Sequence, residues 1–421
     1  MLADGHPRTI TKGPTVPETS ELTAPVGRRW RVPMGARSAD ESHRASTPLE
    51  LLFDLTFVVA VAAAAVELAH AVADDHVGDG LVSFLMVFFA IWWAWMNFTW
   101  FASAYDCDDV PYRLLTLLQM GGVLVLAAGV PAAFEDTDFT AVTAGYVIMR
   151  AAMVTQWLRA GHSDPASRAT AYRYAAGTVV IQAGWLARLA LPETAGFVGF
   201  FVLVVLELAV PLWAERHTGT TWHPHHIAER YGLFTIIVLG ESVLAASRAL
   251  TPAVEAGVTT DAVLLGGGGL AALFGCWWLY FAAPAGRGLA THRGMSFYWG
   301  YGHYGIFAAL AALGAGLEVT AETLVHDIHA SDGVAGFAVA LPLIAFLLLL
   351  WALHAPLEAA PVTYLGVVVA ACGALAVIAW TAAAGLALPW AVVLLNLPIW
   401  AAIALQVIVD DRRARTSTVS G

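Results

Sequence analysis

The sequence predicts an all-α integral membrane protein of about 12 transmembrane helices, and composition, run length and periodicity predict it together. Hydrophobic residues make up 59% of the 421 and charged residues 13%, with a mean hydropathy of +0.69. So apolar a chain cannot be hidden inside a water-soluble fold. The apolar runs last about 20 residues, the length that crosses a bilayer as a helix. They lack the two-residue alternation of barrel strands, and in lipid only a helix or a closed barrel satisfies its own backbone.

Six spans are expected near 49–72, 81–104, 113–134, 139–160, 171–191 and 195–214, and six more near 226–248, 259–284, 298–321, 333–354, 361–384 and 387–409. Breakers such as Asp79-Gly80, Pro131, Asp164-Pro165, Pro192 and Pro224 mark the joints. With both termini cytoplasmic, Arg150, Arg188 and Arg248 are the only ones of the 21 Lys and Arg not on the cytoplasmic side, while the outer loops collect acids such as Asp74, Asp75, Glu135, Asp136, Asp327 and Asp332. That bias is the positive-inside pattern, and an odd span count would reverse the side of every later loop.

The domain plan is a flexible cytoplasmic tail over 1–45, a first six-helix half over 46–215, a second over 216–410 and a short cytoplasmic tail over 411–421. No cleavable signal peptide is visible. The net charge of −11 is spread over outer loops and helix ends, which gives no reason to expect a nucleic-acid partner. Membrane lipids and a small-molecule or ion substrate are the expected partners. Cys107, Cys276 and Cys372 are widely spaced and read as small buried hydrophobes rather than a disulfide or zinc set. Cofactor and oligomeric state stay open.

Two segments read as copies. Glu50-Leu-Leu-Phe-Asp-Leu-Thr56 runs into Phe-Val-Val, and Glu229-Arg-Tyr-Gly-Leu-Phe-Thr235 runs into Ile-Ile-Val; one helix later come Trp92-Trp93 and Trp277-Trp278. Six spans per copy is even, so the halves are expected as parallel repeats.

The same residues carry a family resemblance. Pro48-Leu-Glu-Leu-Leu-Phe-Asp-Leu-Thr-Phe-Val and His226-Ile-Ala-Glu-Arg-Tyr-Gly-Leu-Phe-Thr-Ile-Ile-Val-Leu-Gly-Glu241 resemble the two signatures of the bacterial low temperature requirement protein A (LtrA) family. Further similarity lies at Trp92-Trp93-Ala-Trp, at Trp277-Trp278-Leu-Tyr-Phe and around His303, over roughly residues 45–410. The resemblance implies a multi-pass protein of the bacterial inner membrane, linked by name to growth in the cold, without an established substrate or reaction. Tyr231 and Thr56 stand where other side chains are expected of the family.

Ionisable groups inside spans are costly unless paired or hydrated, so they mark candidate sites. Arg150 lies about a dozen residues into its span, roughly 18 Å deep at 1.5 Å per residue. Glu207 and Glu241 lie at comparable depth, Glu241 being the first choice of partner and Glu207 the second. Such a set either binds an anion, gates a protonated carboxylate, or locks helices as a static pair. Glu50 and Asp54, four apart on one helix face, and His226, Glu229 and Arg230 form a polar vestibule at the inner mouth or cap two helix ends. Glu67 and Glu318 read as interfacial. The histidines 217, 223, 225 and 226 and the aspartates 106, 108 and 109 lack a ligand pattern, so no metal is expected. Trp92, Trp93, Trp95 and Trp100 crowd one span, either lining a cavity or packing against lipid.

The resulting expectation is a secondary transporter or ion-coupled permease with a midplane site at Arg150, Glu207 and Glu241. The alternative is a membrane-embedded enzyme acting on a lipid, isoprenoid or other apolar small molecule, with Glu50, Asp54, Glu229 or Glu241 as acid or base. No soluble domain or Walker A sequence is present to suggest an ATP-driven machine.

Overall fold

The computed structural model describes residues 30–39, 41, 44–282, 285–324, 329–358 and 362–419. It is all helical, at 84% helix with no strand among the described residues. The first part of the chain runs through α1 (Pro48–Ala73), α2 (Val77–Tyr105), α3 (Val110–Ala128), the short α4 (Val130–Glu135), α5 (Thr140–Ser163), α6 (Arg168–Arg188) and α7 (Glu193–Ala214). The second runs through α8 (Pro224–Ala256), α9 (Thr260–Phe281), the short α10 (Ala285–Thr291), α11 (Ser296–Glu322), α12 (Asp332–Glu358), α13 (Val362–Ala383) and α14 (Leu388–Val419). Ten stretches among the described residues are long and apolar enough to cross a membrane. They include every long helix except α5 and α6. Large apolar side chains stand on the outside, Val180, Val205 and Trp380 being 68%, 64% and 69% exposed. Such a surface is stable against lipid and not against water. The chain is a multi-pass membrane protein.

Helix starts are set by local chemistry. Thr47 and Glu50 form a capping box on α1, with Thr47 N–H donating to Glu50 Oε2 at 2.7 Å and Glu50 N–H to Thr47 Oγ1 at 3.3 Å. Asp109 caps α3 through Tyr112 N–H at 2.8 Å. His223 caps α8 by accepting from His226 N–H at 3.2 Å, with Pro224 in the first turn. Pairing of α3 with α5 depends on glycine. A Cβ on Gly145 would sit 2.4 Å from Leu126 N and 2.5 Å from Gly122 O, so these two backbones approach too closely for any side chain.

The first group packs in chain order, α3 on α5, α5 on α6 and α6 on α7, with α1 against α2 and α3. In the second, α11, α12, α13 and α14 follow in order and α14 returns to α9. The groups meet where α1 packs on α8 and α11 and where α2 reaches α11. Accordingly α2 and α11 are the most buried of the spans, 67% and 78% over their apolar windows. A helix apolar on every side belongs in that position. The two tryptophan pairs take opposite environments: Trp92 and Trp93 are buried, whereas Trp277 and Trp278 are 47% and 43% exposed.

Residues 30–45, expected as part of a flexible tail, lie across the ends of α2 and α3 where described. Met34 is fully buried, Val32 N–H donates to Asp109 Oδ2 at 2.9 Å, and Arg37 N–H donates to Ala104 O at 2.8 Å. A buried apolar anchor and two backbone bonds hold a segment that composition alone marks as polar. Residues 1–29, Asp327 and Gly421 lie outside the described residues.

Candidate functional site

The two signature segments meet. Both begin a helix at the same face, and α1 packs on α8 there, so Glu50 and Asp54 come against His226 and Arg230 with no exposure at any of the four. Glu50 divides its oxygens. Oε2 completes the cap of α1, while Oε1 lies 3.2 Å from His226 Nε2, 3.2 Å from Arg230 Nη1 and 3.4 Å from Arg44 Nη2. One turn deeper, Asp54 takes a two-pronged contact from Arg230, Nε to Oδ2 at 2.7 Å and Nη2 to Oδ1 at 2.5 Å. Trp95 Nε1 donates to the same Oδ1 at 2.7 Å, and Arg230 Nη2 also reaches Thr99 Oγ1 at 3.3 Å. Of the two readings from the sequence, a polar vestibule or capping, the cap is formed by Glu50 Oε2, while Oε1 lies in a fully buried ion cluster.

Asp106, at the end of α2, joins this set through Arg44 Nη2 at 3.8 Å. Two guanidiniums therefore face three carboxylates, and the group balances when one further proton is held. Burial pushes the Asp106 carboxyl from 3.8 up to about 6, with Glu50 adding to the rise and Arg44 opposing it. The unfolded chain releases this proton first, so the stability tied to it is present below pH about 4 and is lost as pH rises through about 6. Asp106→Asn removes the titration. Melting curves in detergent should show the variant gaining on the parent between those two pH values and holding a level difference above them. A difference that stays constant throughout the range rules this account out.

A second cluster sits in the first group. Glu207 on α7 accepts from Trp93 Nε1 at 2.7 Å, Tyr146 Oη at 2.8 Å, Trp185 Nε1 at 3.1 Å and Gln182 Nε2 at 3.4 Å. Arg150 Nη2 lies 3.8 Å from Glu207 Oε2 and donates to Tyr146 Oη, with its guanidinium 4.6 Å from the Tyr146 ring centre. Arg150 and Glu207 are 2% and 3% exposed. The carboxylate is held by four donors and a cation, as a charge inside a membrane requires.

Small cavities flank this cluster on opposite sides. One, of about 20 Å³, is lined by Tyr146 and Trp185, which donate to Glu207, together with Phe139, Arg188 and Phe200. The other, of about 40 Å³, is lined by Asn97, Trp100, Trp157, Tyr174, Glu215 and Tyr301 among others. Tyr301 stands 5.4 Å from the Trp93 ring, edge to face. Phe200 and Glu207 lie on α7 and Glu215 at its C-cap, so Glu207 falls between the two cavities along the helix.

Other expected residues are placed elsewhere. Glu241 is not the partner of Arg150: it accepts from Arg248 Nη2 at 2.7 Å, two turns along its own helix, and Arg150 is paired with Glu207. Equal depth on two helices does not bring side chains together unless the helix faces also meet. Glu229 is exposed and, among the described residues, accepts from Ser46 N–H at 3.4 Å, outside the ion cluster. His303 is buried in the second group; its Nδ1 donates to Trp299 O at 2.7 Å, which leaves Nε2 to accept from Tyr280 Oη at 3.1 Å. Of the four tryptophans on α2, Trp93 and Trp95 serve carboxylates, Trp92 is packed, and Trp100 lines a cavity and donates to Tyr231 Oη at 3.0 Å. Sequence reasoning missed Tyr146, Gln182, Trp185, Thr99 and Arg44. Tyr146 is one turn before Arg150, and Gln182 is a polar residue within a span, so both carried a signal; Arg44 carried none.

Fold and site together define a multi-pass helical membrane protein with buried ion clusters between its helices. The bacterial low temperature requirement A protein (LtrA) family matches residues 45–399, and the chain belongs to that family. It is similar to an uncharacterized protein of Rhizobium meliloti (strain 1021), 29% identical over 211 residues that make 48% of this chain and 50% of the other. The match thus spans about half the length of the curated relative. No solved structure matches the chain.

Proposed function

We propose that the protein is a secondary permease of the bacterial cytoplasmic membrane, with its path through α2, α5, α6, α7 and α11 closed at Glu207. The observation that carries this reading is the pair of cavities on either side of the Glu207 cluster, each lined by side chains that bind or pack on the groups holding that carboxylate. A solute that crosses must displace Trp93, Tyr146 or Arg150 from Glu207, and protonation of the carboxylate would release the same groups. The cavity beside Glu215 then faces the cytoplasm and the one beside Arg188 the outside.

Twelve spans with both termini cytoplasmic fit this reading. The two long helices that fall short in hydropathy, α5 and α6, carry Arg150, Gln156 and Gln182, so their low apolarity is what a path-lining helix needs. The parallel repeat is retained as a proposal on the paired segments at Glu50 and Glu229, with divergent tryptophan pairs. The enzyme reading has less support. A lateral apolar groove of about 670 Å³ between α1, α2, α11 and α12 has no carboxylate, histidine or cation among the described residues that line it, and Glu50 and Asp54 are committed to Arg230.

Alternating access is tested with single cysteines at Asn97→Cys and Thr143→Cys, in a background with Cys107, Cys276 and Cys372 changed to Ser. A membrane-impermeant maleimide should label Asn97→Cys from inside-out vesicles and Thr143→Cys from whole cells, with the balance shifted by Glu207→Gln. If Thr143→Cys stays unlabelled from outside under every condition, the permease reading fails.

A further inference from the structure

The cavity beside Glu215 sets one carboxylate among aromatic rings. We propose that it binds the ammonium group of a small organic amine, which deepens the permease reading and rests on it for the claim of passage, though not for binding. Glu215, just beyond the end of α7, accepts through Oε1 from Tyr174 Oη at 2.9 Å and Thr220 Oγ1 at 2.8 Å. Its Oε2 receives no hydrogen bond from any described residue, so the carboxylate is oriented by one oxygen and open at the other. Trp100, Trp157, Trp222 and Tyr301 line the same cavity, and among the described residues no cationic side chain does.

Aromatic rings with one carboxylate and no competing cation are the setting in which an organic ammonium exchanges water for ring faces at low cost. The Arg293 guanidinium, 4.5 Å from the Trp222 ring centre, takes up one face of that ring from outside the lining, which leaves Trp100, Trp157 and Tyr301 as the rings free of a cation among the described residues. Trp157 lies flat on Tyr174 at 4.2 Å, which fixes the wall and the hydroxyl that orients Glu215. The volume, about 40 Å³, holds about three waters, enough for a compact alkylammonium head and too little for a sugar or nucleotide. The opposite cavity has Arg188 in its lining and repels the same ligand, so binding is confined to one side of Glu207.

Tetramethylammonium chloride is the probe, with sodium chloride and tert-butanol as the cation and shape controls. Added to the detergent-purified full chain, tetramethylammonium should quench tryptophan fluorescence saturably and protect Asn97→Cys from maleimide, and neither control should. Glu215→Gln should weaken binding about tenfold or more, Glu215→Asp should retain most of it, and Trp157→Leu should weaken it by about tenfold. Equal effects of tert-butanol, no saturable effect, or an unchanged constant in Glu215→Gln overturns the assignment. Should Glu215→Gln elute as aggregate, protection of Asn97→Cys with Glu215 intact decides. Protection without alternating label at Thr143→Cys keeps the amine site and rejects the permease. Alternating label without protection keeps the permease and rejects the amine site.

Discussion

Asp54→Asn is expected to lower the stability of the folded protein by about 3–5 kcal/mol, the usual cost of stranding one member of a fully buried pair. The change keeps the volume and leaves one oxygen for Trp95 Nε1, while the charge is lost and an NH2 is turned toward Arg230 Nε in place of Oδ2. Arg230 then has Glu50 as its remaining counter-charge, and that oxygen is already shared with Arg44 and His226. The double variant Asp54→Asn with Arg230→Met removes both charges and should regain most of the loss, because desolvating the pair is itself costly. Melting temperatures of the four proteins in one detergent form the cycle. If Arg230→Met alone is as stable as the double variant, the pair is not what joins α1 to α8.

The other large effect is expected at Glu207. A carboxylate accepts at both oxygens, whereas Gln accepts at one and donates at the other, so Glu207→Gln turns a donor toward Trp93 Nε1 or Tyr146 Oη. One buried donor left without an acceptor costs about 1–3 kcal/mol, and Arg150 loses its counter-charge in addition. Arg150→Met together with Glu207→Gln relieves the charge but not the misdirected donor. A permease closed at this carboxylate predicts that both variants abolish flux, or low-temperature growth of a strain that depends on the protein, even where the double variant is stable. A static pair predicts that the double variant regains both stability and activity. That second outcome would remove Glu207 from the mechanism and leave it a helix lock.

What the sequence determined by itself is what runs along helix axes. Run length and hydropathy mark the spans, because a bilayer of fixed thickness sets how many residues at 1.5 Å each must be apolar. The same count puts Arg150 and Glu207 near midplane. The signature segments could be expected to meet because each opens a six-helix group at the cytoplasmic face, where a parallel repeat would set the two clusters opposite one another. Packing around the axes was decided by the tertiary structure alone. Glu241 has the right depth for Arg150, but α5 packs between α3 and α6, and it is Glu207 that points at it while Arg248 takes Glu241. Trp92-Trp93 and Trp277-Trp278 look alike in the chain and differ in burial because α2 reaches the seam between the groups and α9 presents its pair to lipid. Glu215 reads as one more acid at a helix end. Only the packing of α2, α5, α6, α7 and α11 sets it beside aromatic rings, since a cavity is made by faces that no single helix contains.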